Sequence, residues 1–251
     1  MRVFPDIDAL SRAAAEYWFA RAADSIAARG AFHVALAGGG TPKHLYEYLS
    51  RPEAASKVDW KAVHVWMGDE RAVPLDHADS NFRMAREALL DHVPIPVEQI
   101  HPMPADHDDL ELAAREYAEA LLRDVPTDGT GMPSFDLLLL GMGEDGHTAS
   151  LFPGTTALEE RQHPVVAVYV PQLDTWRMSL TLPVIDAARS TLLLVSGAAK
   201  AGILTRVFTR PAIEPRLPVQ RIEPGGELDW YLDEAAAAEL PEEVRSADPR
   251  R

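Results

Sequence analysis

The stretch Asp136-Leu-Leu-Leu-Leu-Gly141-Met-Gly-Glu-Asp-Gly146-His147-Thr-Ala-Ser-Leu-Phe-Pro153-Gly154 decides the reading of the fold. Leu137 to Leu140 is a short apolar run between turn residues, the pattern of a buried strand. Three glycines then fall within six residues, and His147 follows directly. Pro153-Gly154 leaves room for only about a turn and a half of helix after it. A buried strand ending in a glycine turn that carries His and Asp fits an α/β protein, where ligands sit outside the carboxyl ends of the strands.

Gly141, Gly143 and Gly146 also match the spacing G-x-G-x-x-G, which invites a dinucleotide reading. Three features oppose it. The fingerprint opens a long crossover helix, which Pro153 and Gly154 cut short. The next strand candidate, Val165 to Val170, ends at Pro171 without an acid for a ribose hydroxyl. Glu144 and Asp145 would repel a pyrophosphate. A lone motif with these objections carries little weight.

Outward from this stretch, apolar segments alternate with amphipathic ones. Residues 6 to 29 read as a helix, with Asp6 or Asp8 at its start and Gly30 after its end. His33 to Ala37 reads as a strand, followed by Gly38-Gly39-Gly40-Thr41-Pro42 and a helix to about Ser50. Thr41 suits the N-cap and Pro42 the first helical position. Val63 to Met67 is a second strand, ending in the polar loop Gly68-Asp69-Glu70-Arg71. Ser80 is placed to cap a helix through Leu90. A short extended piece is expected near Gln99 to Met103, and a helix from about Asp108 to Arg123. Strands follow near 165–170, 177–182 and 191–195, then a helix from about Ala199 to Thr209. A late strand at Leu228 to Leu232 precedes an Ala-rich segment that reads as helix. The expected fold is a single α/β domain over residues 1–240, Rossmann-like, with a mainly parallel sheet and helices on both faces. Residues 241–251 read as a frayed polar tail.

The 251 residues contain no cysteine, which excludes disulfides and thiolate metal sites. No H-x-x-x-H or comparable metal-ligand spacing occurs, and no metal or other cofactor is expected. No signal-peptide pattern or membrane-length apolar run is present, so a soluble cytoplasmic protein without a membrane partner is expected. The net charge of −15 argues against nucleic acid as a partner. It also means that an anion site must be built against the field of the whole chain. The sequence does not show the oligomeric state, and a monomer is compatible with it.

Four strand ends carry unusual polar loops: Gly38–Thr41, Gly68–Arg71, Gly141–His147 and Ser196–Lys200. In a parallel sheet all four emerge on one edge. Gly38-Gly39-Gly40-Thr41 offers backbone N–H groups at a helix start, which suits phosphate or carboxylate, or is simply a tight turn. Asp69, Glu70 and Arg71 are either an ion-pair network or an anion holder with its partners. Lys200 lies in the first turn of a helix, unfavourable with the macrodipole, which points to a ligand contact. Arg177 begins an alternating strand and is ambiguous alone. Most of the nine histidines read as structural or surface, with His101 and His107 in a loop region. His147 differs through its place after the glycine turn. There is no G-x-S-x-G elbow and no cysteine, so acyl-enzyme chemistry is not expected.

Three blocks together resemble the 6-phosphogluconolactonases. They are Leu36-Ala-Gly-Gly-Gly-Thr-Pro42, Trp66-Met-Gly-Asp-Glu-Arg-Ala-Val-Pro74 with Asp79-Ser-Asn-Phe-Arg-Met-Ala-Arg86, and Asp136 through Gly154. Arg177-Met-Ser-Leu-Thr-Leu-Pro183 and Ser196-Gly-Ala-Ala-Lys-Ala201 are similar to later family blocks. Gly40 departs from the family, which often has Ser there, so a hydroxyl contact is lost and the backbone donors remain. Glucosamine-6-phosphate deaminases share a Gly-x-Asp-Gly-His loop but continue Ala-Phe-Asn-Glu-Pro. Here Ala149-Ser-Leu-Phe-Pro153 lacks that acid.

The resemblance implies hydrolysis of 6-phospho-D-glucono-1,5-lactone to 6-phospho-D-gluconate in the oxidative pentose phosphate pathway, without a cofactor. It implies His147 as general base, with Asp145 and Asp69 in supporting catalytic roles. It places the phosphate at Gly39, Gly40, Thr41, Arg71, Arg177 and Lys200. The alternatives are a deaminase-type isomerase and a non-catalytic sugar-phosphate sensor on the same fold.

Overall fold

Leu137–Leu140 is the central strand of a seven-stranded sheet in a computed structural model that describes residues 1–209 and 215–245. In chain order the strands are β1 (Arg2–Phe4), β2 (Phe32–Leu36), β3 (Val63–Met67), β4 (Asp69–Arg71), β5 (Ile100–His101), β6 (Leu137–Leu140), β7 (Val165–Val170), β8 (Thr175–Leu180), β9 (Ser190–Val195) and β10 (Glu227–Asp233). The helices are α1 (Ile7–Arg29), α2 (Gly40–Leu49), α3 (Pro52–Ala55), α4 (Asn81–Ala88), α5 (Leu110–Asp124), α6 (Leu182–Ala187), α7 (Ala201–Thr209) and α8 (Glu242–Arg245).

The large sheet has the order β1-β10-β9-β6-β2-β3-β5, and every pairing in it is parallel. Strands β2, β6 and β9 are buried at every residue, which is why they read as mostly apolar runs rather than alternating ones. Helix α1 begins at Asp6, whose carboxylate accepts from the Ala9 N–H at 2.7 Å. It buries Leu10, Ala14, Trp18 and Ala22, spaced four apart along one face. Two buried tyrosines brace the strand ends that carry the functional loops. The Tyr46 hydroxyl accepts from Ala37 N–H at 3.0 Å and donates to Ala37 O at 2.8 Å. The Tyr117 hydroxyl accepts from Met67 N–H at 2.9 Å.

Several sequence expectations need correction. Gly68–Arg71 is not a loop throughout: Asp69–Arg71 forms β4 in a second, antiparallel sheet of order β4-β8-β7. An apolar core cluster runs under both sheets, joining Val168 and Met178 to Leu36 and Leu193. Thr41 does not cap α2; the helix starts at Gly40, and the Thr41 hydroxyl instead pairs with the Ser196 hydroxyl at 2.7 Å. No helix forms between His147 and Pro153. Ala149 sits at φ 46°, and the Ser150 N–H donates to the Ser179 hydroxyl at 3.1 Å, so the chain folds into turns. The Ala-rich stretch after β10 is also a run of turns. The Asp233 carboxylate accepts from Ala236 N–H at 2.7 Å, but Pro241 disfavours helix at Leu240 and stops propagation. His101 lies in β5 rather than in a loop. Of the expected tail, Glu242–Arg245 forms the one-turn α8, and residues 246–251 lie outside the described residues.

Candidate active-site cleft

The carboxyl ends of β9, β6, β2 and β3, consecutive in the sheet, share one edge, as parallel pairing requires. Their four loops surround a cleft of about 260 Å³. Gly39, Gly40, Thr41, Asp69, Arg71, His147 and Lys200 line it, and Arg177 enters from β8. Asp145 stands behind His147 rather than on the wall. All nine sequence-derived candidates therefore lie in the cleft or touch a residue that does.

His147 is held from three sides. Its Nδ1 lies 2.6 Å from Asp145 Oδ1, and its backbone N–H donates to the same oxygen at 3.1 Å. The Asp145 carboxylate therefore keeps a proton on Nδ1 and leaves Nε2 as the acceptor. The ring stacks on Phe152 at 3.9 Å between centroids. The third side is Gly143, where a Cβ would come within 2.2 Å of the imidazole. Burial draws the His147 pKa below its ordinary value, with Asp145 and Asp69 opposing that shift and Arg177 adding to it. The imidazole is consequently neutral at pH 7.

Two arginines bring positive charge to the same cleft. Arg71 on β4 and Arg177 on β8 are direct cross-strand partners. Like charges placed so are unfavourable, and an anion between them relieves the conflict. Burial lowers the Arg177 pKa; Asp69 opposes the shift and Arg71 adds to it. Among the described residues, the buried Nε atoms of both arginines have no hydrogen-bond partner. The Arg71 guanidinium donates to the Asp79 carbonyl, and Arg177 lies 5.4 Å from the Phe152 ring centroid. Lys200 ends a short turn before α7 and forms no ion pair among the described residues.

Glu70 faces away from the cleft and is fully buried. Its carboxylate accepts from the N–H groups of Arg71, Asn81 and Phe82 at 2.8, 2.7 and 2.8 Å, and from the Ser80 hydroxyl at 3.0 Å. It ties β4 to the start of α4, where a carboxylate suits the helix dipole. Burial raises its pKa, and those three N–H donors pull it back.

Sequence reasoning assigned no role to Asn81, Ser150, Phe152 or Ser196. The Asn81 side chain lies where a Cβ on Gly38 would be, 1.9 Å from that position. Its Nδ2 donates to the Asp69 carbonyl at 3.0 Å and carboxylate at 3.3 Å. Nothing in local spacing marks Asn81, Ser150 or Ser196, because their partners are 12, 81 and 155 residues away. Among the described residues, no three of His, Asp and Glu are grouped as a metal ion would need. No helix among them is long and apolar enough to cross a membrane.

Fold and site together define an α/β protein with a histidine-bearing, anion-receptive cleft at the strand ends. A family model described as glucosamine-6-phosphate isomerases/6-phosphogluconolactonase matches residues 5–230, and the chain belongs to that family. Among its relatives is a 6-phosphogluconolactonase of Synechocystis, 44% identical over 221 residues, covering 88% of this chain and 89% of the relative. One of Nostoc is 42% identical over 241 residues, covering 96% and 98%. The solved structure of 6-phosphogluconolactonase from Trypanosoma cruzi superposes with a TM-score of 0.84 at 30% identity, covering 95% of this chain and 96% of that one.

Proposed function

We propose that the protein hydrolyses 6-phospho-D-glucono-1,5-lactone to 6-phospho-D-gluconate, the lactonase step of the oxidative pentose phosphate pathway. One observation carries the assignment of roles. A carboxylate-oriented histidine shares a small cleft with two half-buried arginines that form no ion pair among the described residues. The histidine suits proton transfer at an ester and the arginines suit a remote phosphate.

His147 Nε2 takes a proton from water as the water oxygen bonds to the lactone carbonyl carbon. The C1–O5 bond then breaks, and the imidazolium returns the proton to the ring oxygen. Asp145 holds the tautomer and stabilises the imidazolium. A base of this kind contributes about 10²–10⁴-fold. The phosphate is held by the N–H groups of Gly39, Gly40 and Thr41 at the start of α2, with Arg71, Arg177 and Lys200. Binding energy from that remote group positions the carbonyl. The lactone is already an activated ester, so this route needs no cofactor. One core cluster joins both sheets, which supports a single folded unit over the described residues.

The deaminase alternative needs an acid beside the histidine on the far side of its loop. Phe152 occupies that place, stacked on His147. Purified protein is expected to consume freshly made 6-phosphogluconolactone well above its spontaneous rate and to release no ammonia from glucosamine 6-phosphate. Ammonia release without lactone consumption would transfer the assignment to the deaminase; binding of both without turnover would make the protein a sensor.

A further inference from the structure

Ser150 is fully buried and does not line the cleft. Its hydroxyl nevertheless donates to Asp69 Oδ2 at 2.6 Å, across 81 residues of sequence. Its N–H donates to the Ser179 hydroxyl at 3.1 Å, two residues from Arg177 on β8. One residue thus fastens the His147 loop to β4 and to β8. The other carboxylate oxygen of Asp69 accepts from Asn81 Nδ2 at 3.3 Å.

Asp69 is itself 6% exposed and lines the cleft. Both donors to its carboxylate are neutral, and among the described residues no cation forms an ion pair with it. A carboxylate has about four lone-pair sites, and two are used here. A buried charge left this way is costly unless a further donor reaches it. The cations of the cleft repel no hydroxyl, and a sugar ring offers several hydroxyl donors.

Resting on the lactonase reading, we infer that Ser150 is a positioning residue that sets substrate specificity. With Asn81 it turns the Asp69 carboxylate so that its free lone pairs accept from one ring hydroxyl of the lactone. Ser150 touches no substrate and acts through Asp69. A charge-assisted hydrogen bond of this kind is stronger than a neutral one, and its orientation decides its strength.

The test compares wild type, Ser150→Ala, Asp69→Ala and the double variant on 6-phosphogluconolactone and on analogues lacking one ring hydroxyl each. Wild type is expected to lose about tenfold or more in kcat/KM on one deoxy analogue. Ser150→Ala is expected to lose a similar factor on the full substrate and little further on that analogue. The double variant should match Asp69→Ala. Inhibition by inorganic phosphate should be within about twofold of wild type in Ser150→Ala, because the two arginines are untouched. Equal losses on every analogue, losses that multiply in the double variant, or an equal weakening of phosphate inhibition would overturn the inference. If Ser150→Ala does not fold, Ser150→Cys, of similar volume and with a weaker donor, carries the same comparison. A wild type that hydrolyses no phosphorylated lactone would defeat the proposed function instead.

Discussion

His147 depends on a residue with no side chain. A Cβ at Gly143 would lie 2.2 Å from the imidazole and 2.7 Å from Asp145 Oδ1. Real Cβ contacts do not come so close, so the ring or the turn must move. Gly143→Ala is therefore expected to fold and to lose about 10²-fold or more in kcat, since small misplacements of a reacting group cost that much. Full activity in the variant, measured on freshly made lactone, would show that the ring is not held as described. His147 and Asp145 were readable in the sequence because the glycine turn sets them apart locally. Ser150 and Asn81 were not, since their roles come from hydrogen bonds to Asp69 across 81 and 12 residues.

Among the elements, the parallel strands and their order of helices followed from mostly apolar runs between amphipathic segments. The small antiparallel sheet did not. β4 is three residues long and wholly polar, Asp69-Glu70-Arg71, so no hydrophobic pattern marks it. Pairing with β8 makes it a strand and sets Arg71 opposite Arg177. The sequence named both arginines but placed them on unrelated segments. Their opposition leads to a prediction at this scale. Arg71→Gln and Arg177→Gln should each raise KM for the phosphorylated lactone about tenfold or more. Hydrolysis of unphosphorylated glucono-1,5-lactone should change little. A loss shared equally by both substrates would move the arginines from phosphate binding to general architecture.

Over the whole molecule, the net charge of −15 surrounds a cleft whose charged lining is largely cationic, so an anion held there is bound against the field of the chain. A second charge pattern lies in the sheet itself. His33, His64 and His101 stack in a row across β2, β3 and β5, and His101 also stacks on Trp66 at 3.8 Å. Burial holds His33 and His101 down to about 4, and mutual repulsion with His64 adds to this; Asp136 and Asp124 oppose it at His33, and Asp124 at His101. The unfolded chain takes up these protons near pH 6.5, whereas the folded chain resists until about pH 4. Stability from the neutral histidines is complete above pH 6.5 and is lost as pH falls through that window, on the order of a few kcal/mol. Urea unfolding at stepped pH should show this loss. His101→Phe, which keeps the stack on Trp66, should flatten it; an unchanged profile would remove the stack as its cause.

The central claim is that this cleft opens a phosphosugar lactone with His147 as the base. Its most direct test is the initial rate of loss of freshly prepared 6-phosphogluconolactone at pH 7, with wild type and with His147→Ala, each corrected for spontaneous hydrolysis. The account predicts rapid loss with wild type and a rate about 10²–10⁴-fold lower with the variant. A folded His147→Ala protein as fast as wild type would contradict it.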